Sequence, residues 1–254
     1  MSVPTDVIAR LAAAPSLLIA CDFDGTLADI VPDPDDARPR PRAIEALARL
    51  SAMPGVTIAV ISGRALRDLK RRLSEDLNVT LVGSHGAEWQ GADAAPADSA
   101  TGALLRRLEA AARDAASGLP GIGVETKPFG IALHYRRASE PDARVAIARF
   151  ESALSKITGA HVRHGSKVIE ASAVSANKGD SLREVRRRAQ AEMVVFIGDD
   201  RTDEDAFAAL ARQDIGIKVG EGPTLARHRV ANPAAVAEFL VTLAAARASP
   251  SHSR

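Results

Sequence analysis

A chain of 254 residues, 46 % apolar and 26 % charged, has material for one large domain or two modest ones around a buried core. Its 33 basic residues nearly balance 32 acidic ones, a formal charge of +1, which argues against nucleic acid or an anionic membrane surface as the main partner. A single cysteine, Cys21, excludes an internal disulfide, no run approaches the length of a membrane span, and the opening stretch MSVPTDVIARLAAAPS lacks the apolar core of a signal peptide, so a cytoplasmic protein is expected.

In chain order, the apolar run Leu17–Cys21 reads as a strand and residues 42–53 carry apolar positions at helical spacing. Val56–Ile61 reads as a second strand, 66–77 as a helix and 79–82 as a third strand. Such alternation predicts a parallel sheet covered on both faces. Residues 91–102 are small, polar and proline-containing, the composition of a linker. After them come a helix over 103–116, a strand pair over 124–135, a helix over 142–157, and strands at 162–163 and 168–171, a compact α+β set. The first pattern resumes with a helix from Gly179, a strand at 193–197, a helix from Asp203, the strand Ile215–Val219 and a helix over 233–246, before a tail expected to fray. The fold expected is α/β: a doubly wound, Rossmann-like parallel-sheet core from residues 1–90 and 172–254, interrupted by an inserted α+β unit at 91–171.

In such a sheet, ligands bind outside the carboxyl ends of the strands. Four groups of polar residues are predicted there: Asp22 and Asp24, then Ser62-Gly63-Arg64, then Gly198-Asp199-Asp200 with Asp203 close behind, and Lys178 at the start of a helix. Carboxylates so close repel, and a cation must compensate them. Asp22, Asp24 and Asp199 offer hard oxygen ligands suited to Mg2+; Asp203 joins that set, although Asp200 and Asp203 divide between ligation, support of a ligand and helix capping. Lys178 would offset the remaining charge and that of a bound phosphate. Ser62 can donate to a phosphoryl oxygen. The amides of residues 23–26, with Gly25 and Thr26, can form a nest for an anion. Arg64, after Gly63, either reaches phosphate or caps the next helix, and His85 either packs near a hinge or reaches substrate. This set suits phosphoryl transfer through an aspartyl nucleophile: Asp22 attacks phosphorus, and Asp24 protonates the leaving oxygen and then activates water.

The motifs DFDGT (22–26), ISGR (61–64), NKG (177–179) and GDDRTDE (198–204) resemble, in order, the four motifs of haloacid dehalogenase-like (HAD) phosphatases. The insertion between the second and third resembles that superfamily's C2-type cap. The segments GSHGAE (83–88), ETKPFGIALHYR (125–136), GSKVIE (165–170) and GDDRTDEDAF (198–207) are similar to those of trehalose-6-phosphate phosphatases. The resemblance implies Mg2+-dependent hydrolysis of trehalose 6-phosphate, with the sugar hydroxyls held by cap residues Glu125, Lys127, Arg136, Lys167 and Glu170. A carboxylate can accept from two vicinal hydroxyls while Lys or Arg donates back. A cap closing over substrate, a monomer, and no nucleic-acid or membrane partner complete the expectation.

Other functions compete with this one. Sucrose 6-phosphate or mannosyl-3-phosphoglycerate would use the same chemistry with other cap contacts. A signalling receiver domain is about half this length and lacks the D-x-D-G-T context. A non-catalytic regulatory domain would be expected to lose Asp22, Asp24 or Lys178, and all three are present. Cys21 reads as a small core residue and no phosphatase cysteine, since Leu27 stands where a C-x5-R pattern needs arginine. His161 and His164 lack further nearby ligands for zinc.

Overall fold

All five side chains of Leu17–Cys21 (β1) are buried, as a strand covered on both faces requires. The computed structural model describes residues 3–73, 77–91 and 99–249, and the chain divides into two units: residues 1–90 with 177–254, and residues 91–176. The first unit begins with α1 (Thr5–Ala13), β1, α2 (Pro41–Ser51), β2 (Val56–Ile61), α3 (Leu66–Arg72), β3 (Thr80–Gly83) and β4 (Glu88–Trp89). The second contains α4 (Ser99–Ala116), β5 (Gly123–Lys127), β6 (Gly130–His134), α5 (Glu140–Leu154), β7 (His161–Gly165) and β8 (Val168–Ser172). The first then resumes with α6 (Lys178–Ala189), β9 (Met193–Gly198), α7 (Glu204–Ala208), β10 (Ile215–Val219), β11 (His228–Val230) and α8 (Pro233–Ala248).

The sheet of the first unit has the order β11-β10-β9-β1-β2-β3-β4, parallel throughout except for the β3–β4 pair. The chain builds outward from β1 through β2 to β3, returns beside β1 as β9, and builds the other way. That reversal between β1 and β9 is the topological switch point, where ligand clefts open in doubly wound sheets. Cys21 pairs with Ile197, so the ends of β1 and β9 lie level and release residue 22 and residues 198–199 at one rim. Alternate side chains of β1 serve opposite cores: Leu17, Ile19 and Cys21 pack with Leu11, Leu47 and Leu240, while Leu18 and Ala20 pack with Leu182, Val185 and Phe207. Each leucine or isoleucine fully buried this way contributes roughly 1.5–3 kcal/mol relative to exposure. Phe196 meets Phe207 edge-on, with ring centres 5.4 Å apart.

In the second unit, an antiparallel sheet of order β5-β6-β8-β7 packs Ile131, Leu133, Ile169 and Ala171 against Leu108, Ala112, Ala146 and Phe150 of α4 and α5. The pleat sends the intervening residues to the other face. Register there aligns Glu125, Ala132, Glu170 and Arg163 in one row across the four strands.

Several elements depart from expectation. The helix expected over 66–77 ends at Arg72, because Leu73 turns to extended backbone; residues 74–76 lie outside the described residues. Of the linker expected at 91–102, residues 99–102 wind as the first turn of α4, and 92–98 lie outside the described residues, as does the tail from 250. The helix expected from Asp203 is only Glu204–Ala208 behind a 3-10 turn. The second unit extends to residue 176, past the expected 171, because the Ser172 hydroxyl and the Ala173 amide both donate to the Phe129 carbonyl, at 2.9 and 2.8 Å. The short strands β4 and β11 and the helix α1 had no counterpart in the sequence reading.

Phe150→Ala should remove about 3–5 kcal/mol from the stability of the second unit. Native-state hydrogen exchange would show this as lost protection in β6 and β8, with β1 and β9 unchanged.

Candidate active site

Asn177 caps α6 by accepting a hydrogen bond from the Asp180 amide, and so places Lys178 as the helix's first residue. The Lys178 ammonium, 1 % exposed, donates to Asp22 Oδ1 and to Asp203 Oδ1, each at 2.7 Å. Burial alone would lower the pKa of this lysine. Asp203 and Asp22 outweigh it and hold the ammonium charged, well above its ordinary value. Burial pushes the Asp22 carboxyl above the usual range, opposed by Lys178 and reinforced by Asp203 and Asp199.

Asp203 is fully buried, and its second oxygen accepts from the amides of Asp199 and Asp200, both at 2.9 Å. Asp200 in turn caps the 3-10 turn by accepting from the Arg201 amide at 2.7 Å. The GDDRTD stretch therefore folds onto its own last aspartate. Gly198 makes this possible, since a Cβ there would stand 2.3 Å from Asp203 Cγ. With both oxygens engaged, Asp203 orients Lys178 and the Asp199 loop. Of the two aspartates left open by the sequence, Asp200 is the cap and Asp203 is the buried member of the cluster.

Asp199 is held differently. Its Oδ1 is buried with no hydrogen-bond partner, while its backbone carbonyl accepts from the buried Lys218 ammonium. Burial and the nearby Asp203 push its carboxyl up to about 7. A Cβ on Gly25, where φ is +77°, would stand 2.1 Å from Asp199 Oδ2, so only glycine lets the DFDGT turn lie against this carboxylate. One oxygen from each of Asp22, Asp199 and Asp203 falls within 4.8 Å of the others. A buried, oxygen-only cluster with surplus negative charge and an orphaned carboxylate oxygen fits a hard divalent cation, with Asp22 and Asp199 offering the less engaged oxygens.

Asp24, expected among the metal ligands, does not join that cluster. Its two oxygens accept from Arg64 Nε and Nη2 at 2.6 and 2.7 Å, a bidentate fork. Arg64 is thereby turned onto Asp24, and the cap position of α3 belongs to Ala65 instead. The expected amide nest is also partly consumed: the amides of Gly25 and Thr26 donate to the carbonyls of Ala28 and Phe23, closing a tight turn. The Thr26 hydroxyl is buried without a partner. Ser62, 1 % exposed, accepts from the Arg64 amide at 3.2 Å, and its carbonyl accepts from the His85 amide at 2.9 Å. His85 holds a left-handed φ of +56°, and a Cβ on Gly63 would stand 2.6 Å from its ring. His85 is thus seated beside the Ser62-Gly63 turn.

In the second unit, Glu125 and Glu170 share the row opposite the helices, and Lys127 donates to Glu170. His134 Nε2 lies 2.9 Å from Glu125 Oε2. Arg136 donates to the Ser166 carbonyl at 2.8 Å, and Lys167, at φ +65°, stands 6.0 Å over the Tyr135 ring. Of the five sugar-binding residues expected, Glu125, Lys127 and Glu170 are brought together, whereas Arg136 and Lys167 belong to the β6 end and the β7–β8 turn. The sequence reading missed Lys218 and His134. A lysine inside the buried strand Ile215–Val219 was a signal that could have been read.

A family model described as trehalose-phosphatase matches residues 20–237. A trehalose-phosphate phosphatase of Mycobacterium marinum is 38 % identical over 238 residues, covering 88 % of this chain and 60 % of that protein. The chain thus spans about three-fifths of that relative's length. A bifunctional trehalose-6-phosphate synthase/phosphatase of Thermoproteus tenax is 35 % identical over 232 residues, covering 86 % of this chain and 30 % of its own. Among solved structures, the C-terminal domain of the C. albicans trehalose-6-phosphate phosphatase superposes with a TM-score of 0.81 at 23 % identity, over 96 % of this chain and 97 % of that one.

Protonated Asp199 cannot ligate a cation, so binding should weaken as pH falls through its value of about 7. Because that folded-state value lies above the unfolded one, the metal-free protein should lose stability as pH rises from about 4 to 7. The rise in melting temperature on adding MgCl2 should therefore grow between pH 5.5 and 7 and then level off. In Gly25→Ala that rise should shrink at every pH, since the new methyl displaces Asp199.

Proposed function

Because the chain belongs to the trehalose-phosphatase family, we propose that it is a Mg2+-dependent phosphatase that hydrolyses trehalose 6-phosphate through an aspartyl-phosphate on Asp22. The observation that carries the reading is Lys178 bridging Asp22 and Asp203, with the unpartnered Asp199 oxygen in the same cluster. A nucleophilic carboxylate, a fixed ammonium and an open ligand oxygen are the parts that phosphoryl transfer needs.

Mg2+ held by Asp22 and Asp199 would neutralise the charge of the transferring phosphoryl group. Asp22 attacks phosphorus in line; its new O–P bond forms as the bond to the sugar's C6 oxygen breaks. Asp24 gives a proton to that oxygen, a poor leaving group as an alkoxide. Water then attacks the phosphorus of the aspartyl-phosphate, Asp24 takes its proton, and the Asp22 carboxylate and inorganic phosphate are released. Lys178 fixes the attacking carboxylate, and Ser62 donates to a phosphoryl oxygen. In the second unit, read as a cap, Glu125, Lys127 and Glu170 supply the acceptors and donor for sugar hydroxyls. His134 orients Glu125.

Phosphate release from trehalose 6-phosphate should exceed that from glucose 6-phosphate, sucrose 6-phosphate and mannosyl-3-phosphoglycerate, and EDTA should abolish it. Asp22→Asn should lower kcat by about 10⁴-fold or more. Glu170→Gln should raise KM about tenfold, the equivalent of roughly 1.4 kcal/mol, with a smaller change in kcat. Preference for another of these esters would overturn the substrate, and metal-independent turnover would overturn the mechanism.

A further inference from the structure

We propose that Arg64 and Asp68 are positioning residues: Arg64 sets the Asp24 carboxylate for proton transfer, and Asp68 acts through Arg64. This rests on the reading of Asp24 as proton donor and acceptor. An arginine after Ser62-Gly63 invites the view that it grips phosphate, but its hydrogen bonds are spent elsewhere. Nε and Nη2 fork onto Asp24, Nη2 also donates to the Pro34 carbonyl at 2.8 Å, and Nη1 donates to Asp68 Oδ2 at 2.6 Å. A guanidinium has five N–H groups, and four are directed here. The side chain is only 10 % exposed, and the guanidinium lies 5.3 Å from the centre of the Phe23 ring.

Asp68 is the joint of the arrangement. The same Oδ2 accepts from Arg72 Nε at 2.9 Å, and Arg72 reaches on to the Ala37 carbonyl at 2.7 Å and the Asp35 carbonyl at 3.1 Å. The chain Asp24–Arg64–Asp68–Arg72 therefore ties the turn after β1 to α3 and to the segment around residues 34–37. Asp24 itself is about one-third exposed, so without the fork its carboxylate would be free to rotate. Proton transfer tolerates little misplacement, and a planar fork fixes both the distance and the plane of the acceptor. Each Asp24 oxygen keeps lone-pair capacity for the proton in play. Asp68, in the first turn of α3, stands four residues beyond Arg64, which precedes the helix and turns back to meet it.

The test compares two leaving groups in Arg64→Gln, Arg64→Lys and Asp68→Asn. The sugar alkoxide needs a proton from Asp24, whereas p-nitrophenolate leaves without one, and kcat/KM reports only the steps through phosphoryl transfer to Asp22. Both Arg64 variants should lower kcat/KM for trehalose 6-phosphate about 100-fold and that for p-nitrophenyl phosphate by no more than about threefold. Asp68→Asn should show the same selectivity with a loss of about tenfold for the sugar ester, and lysine should not rescue because it cannot fork. Equal losses on both esters would overturn the proposal in favour of phosphate binding or simple structural support, and unchanged values on both would remove any role. Should the Arg64 variants fail to fold, Asp68→Asn decides alone. If the wild type turns over a different alkyl phosphate in preference to trehalose 6-phosphate, the substrate assignment fails, and the same comparison with that ester still tests the positioning pair.

Discussion

The first unit is organised around a concentration of buried negative charge that the protein alone does not neutralise. Asp22, Asp199 and Asp203 meet at the switch point of the sheet, where the apolar cores on both faces leave little water to screen them. Lys178 is placed between two of them by the cap of its helix, and Lys218 stands behind the third. The remaining imbalance falls on Asp199, whose carboxyl is pushed up to about 7 and whose Oδ1 has no partner. Nearby features follow from accommodating these charges: glycine at 25 and 198, and the folding of GDDRTD onto Asp203.

The two units carry different kinds of chemistry. In the first, rigid strand ends and a capped helix fix charged groups at distances of about 2.7 Å, as a site for charge-driven transfer needs. In the second, the face of the antiparallel sheet opposite the helices carries a row of acceptors and donors on alternate residues, the pattern that reading sugar hydroxyls would need. On the proposed reading, the α/β fold would supply the transfer chemistry, and the inserted sheet the surface on which a substrate is told from its analogues.

Much of this was legible in the sequence. Strands β1 and β9 are continuous apolar runs, β2 is interrupted only by Thr57, and polar residues follow each, so the parallel core with an inserted α+β unit follows from their alternation with helices. Asp22, Lys178 and Asp199 were identified from short motifs because each sits at a strand end or a helix start. What escaped depends on three-dimensional register. The fork of Arg64 onto Asp24 joins residues 40 positions apart, and nothing in their spacing requires it. The pairing of His134 with Glu125 needs the β5–β6 hairpin register. Strands of two and three residues, β4 and β11, are too short to show a period, and α1 is a helix of only nine residues with two buried side chains.

The most direct test of the account is to look for the covalent intermediate itself. Mixing the enzyme with MgCl2 and trehalose 6-phosphate, quenching in acid within milliseconds, and mapping peptides by mass spectrometry should find one phosphoryl group on Asp22, absent from Asp22→Asn and from EDTA-treated protein. Sustained turnover with no phosphorylated peptide, or with the label on another residue, would contradict the role assigned to Asp22 and to the charge cluster built around it.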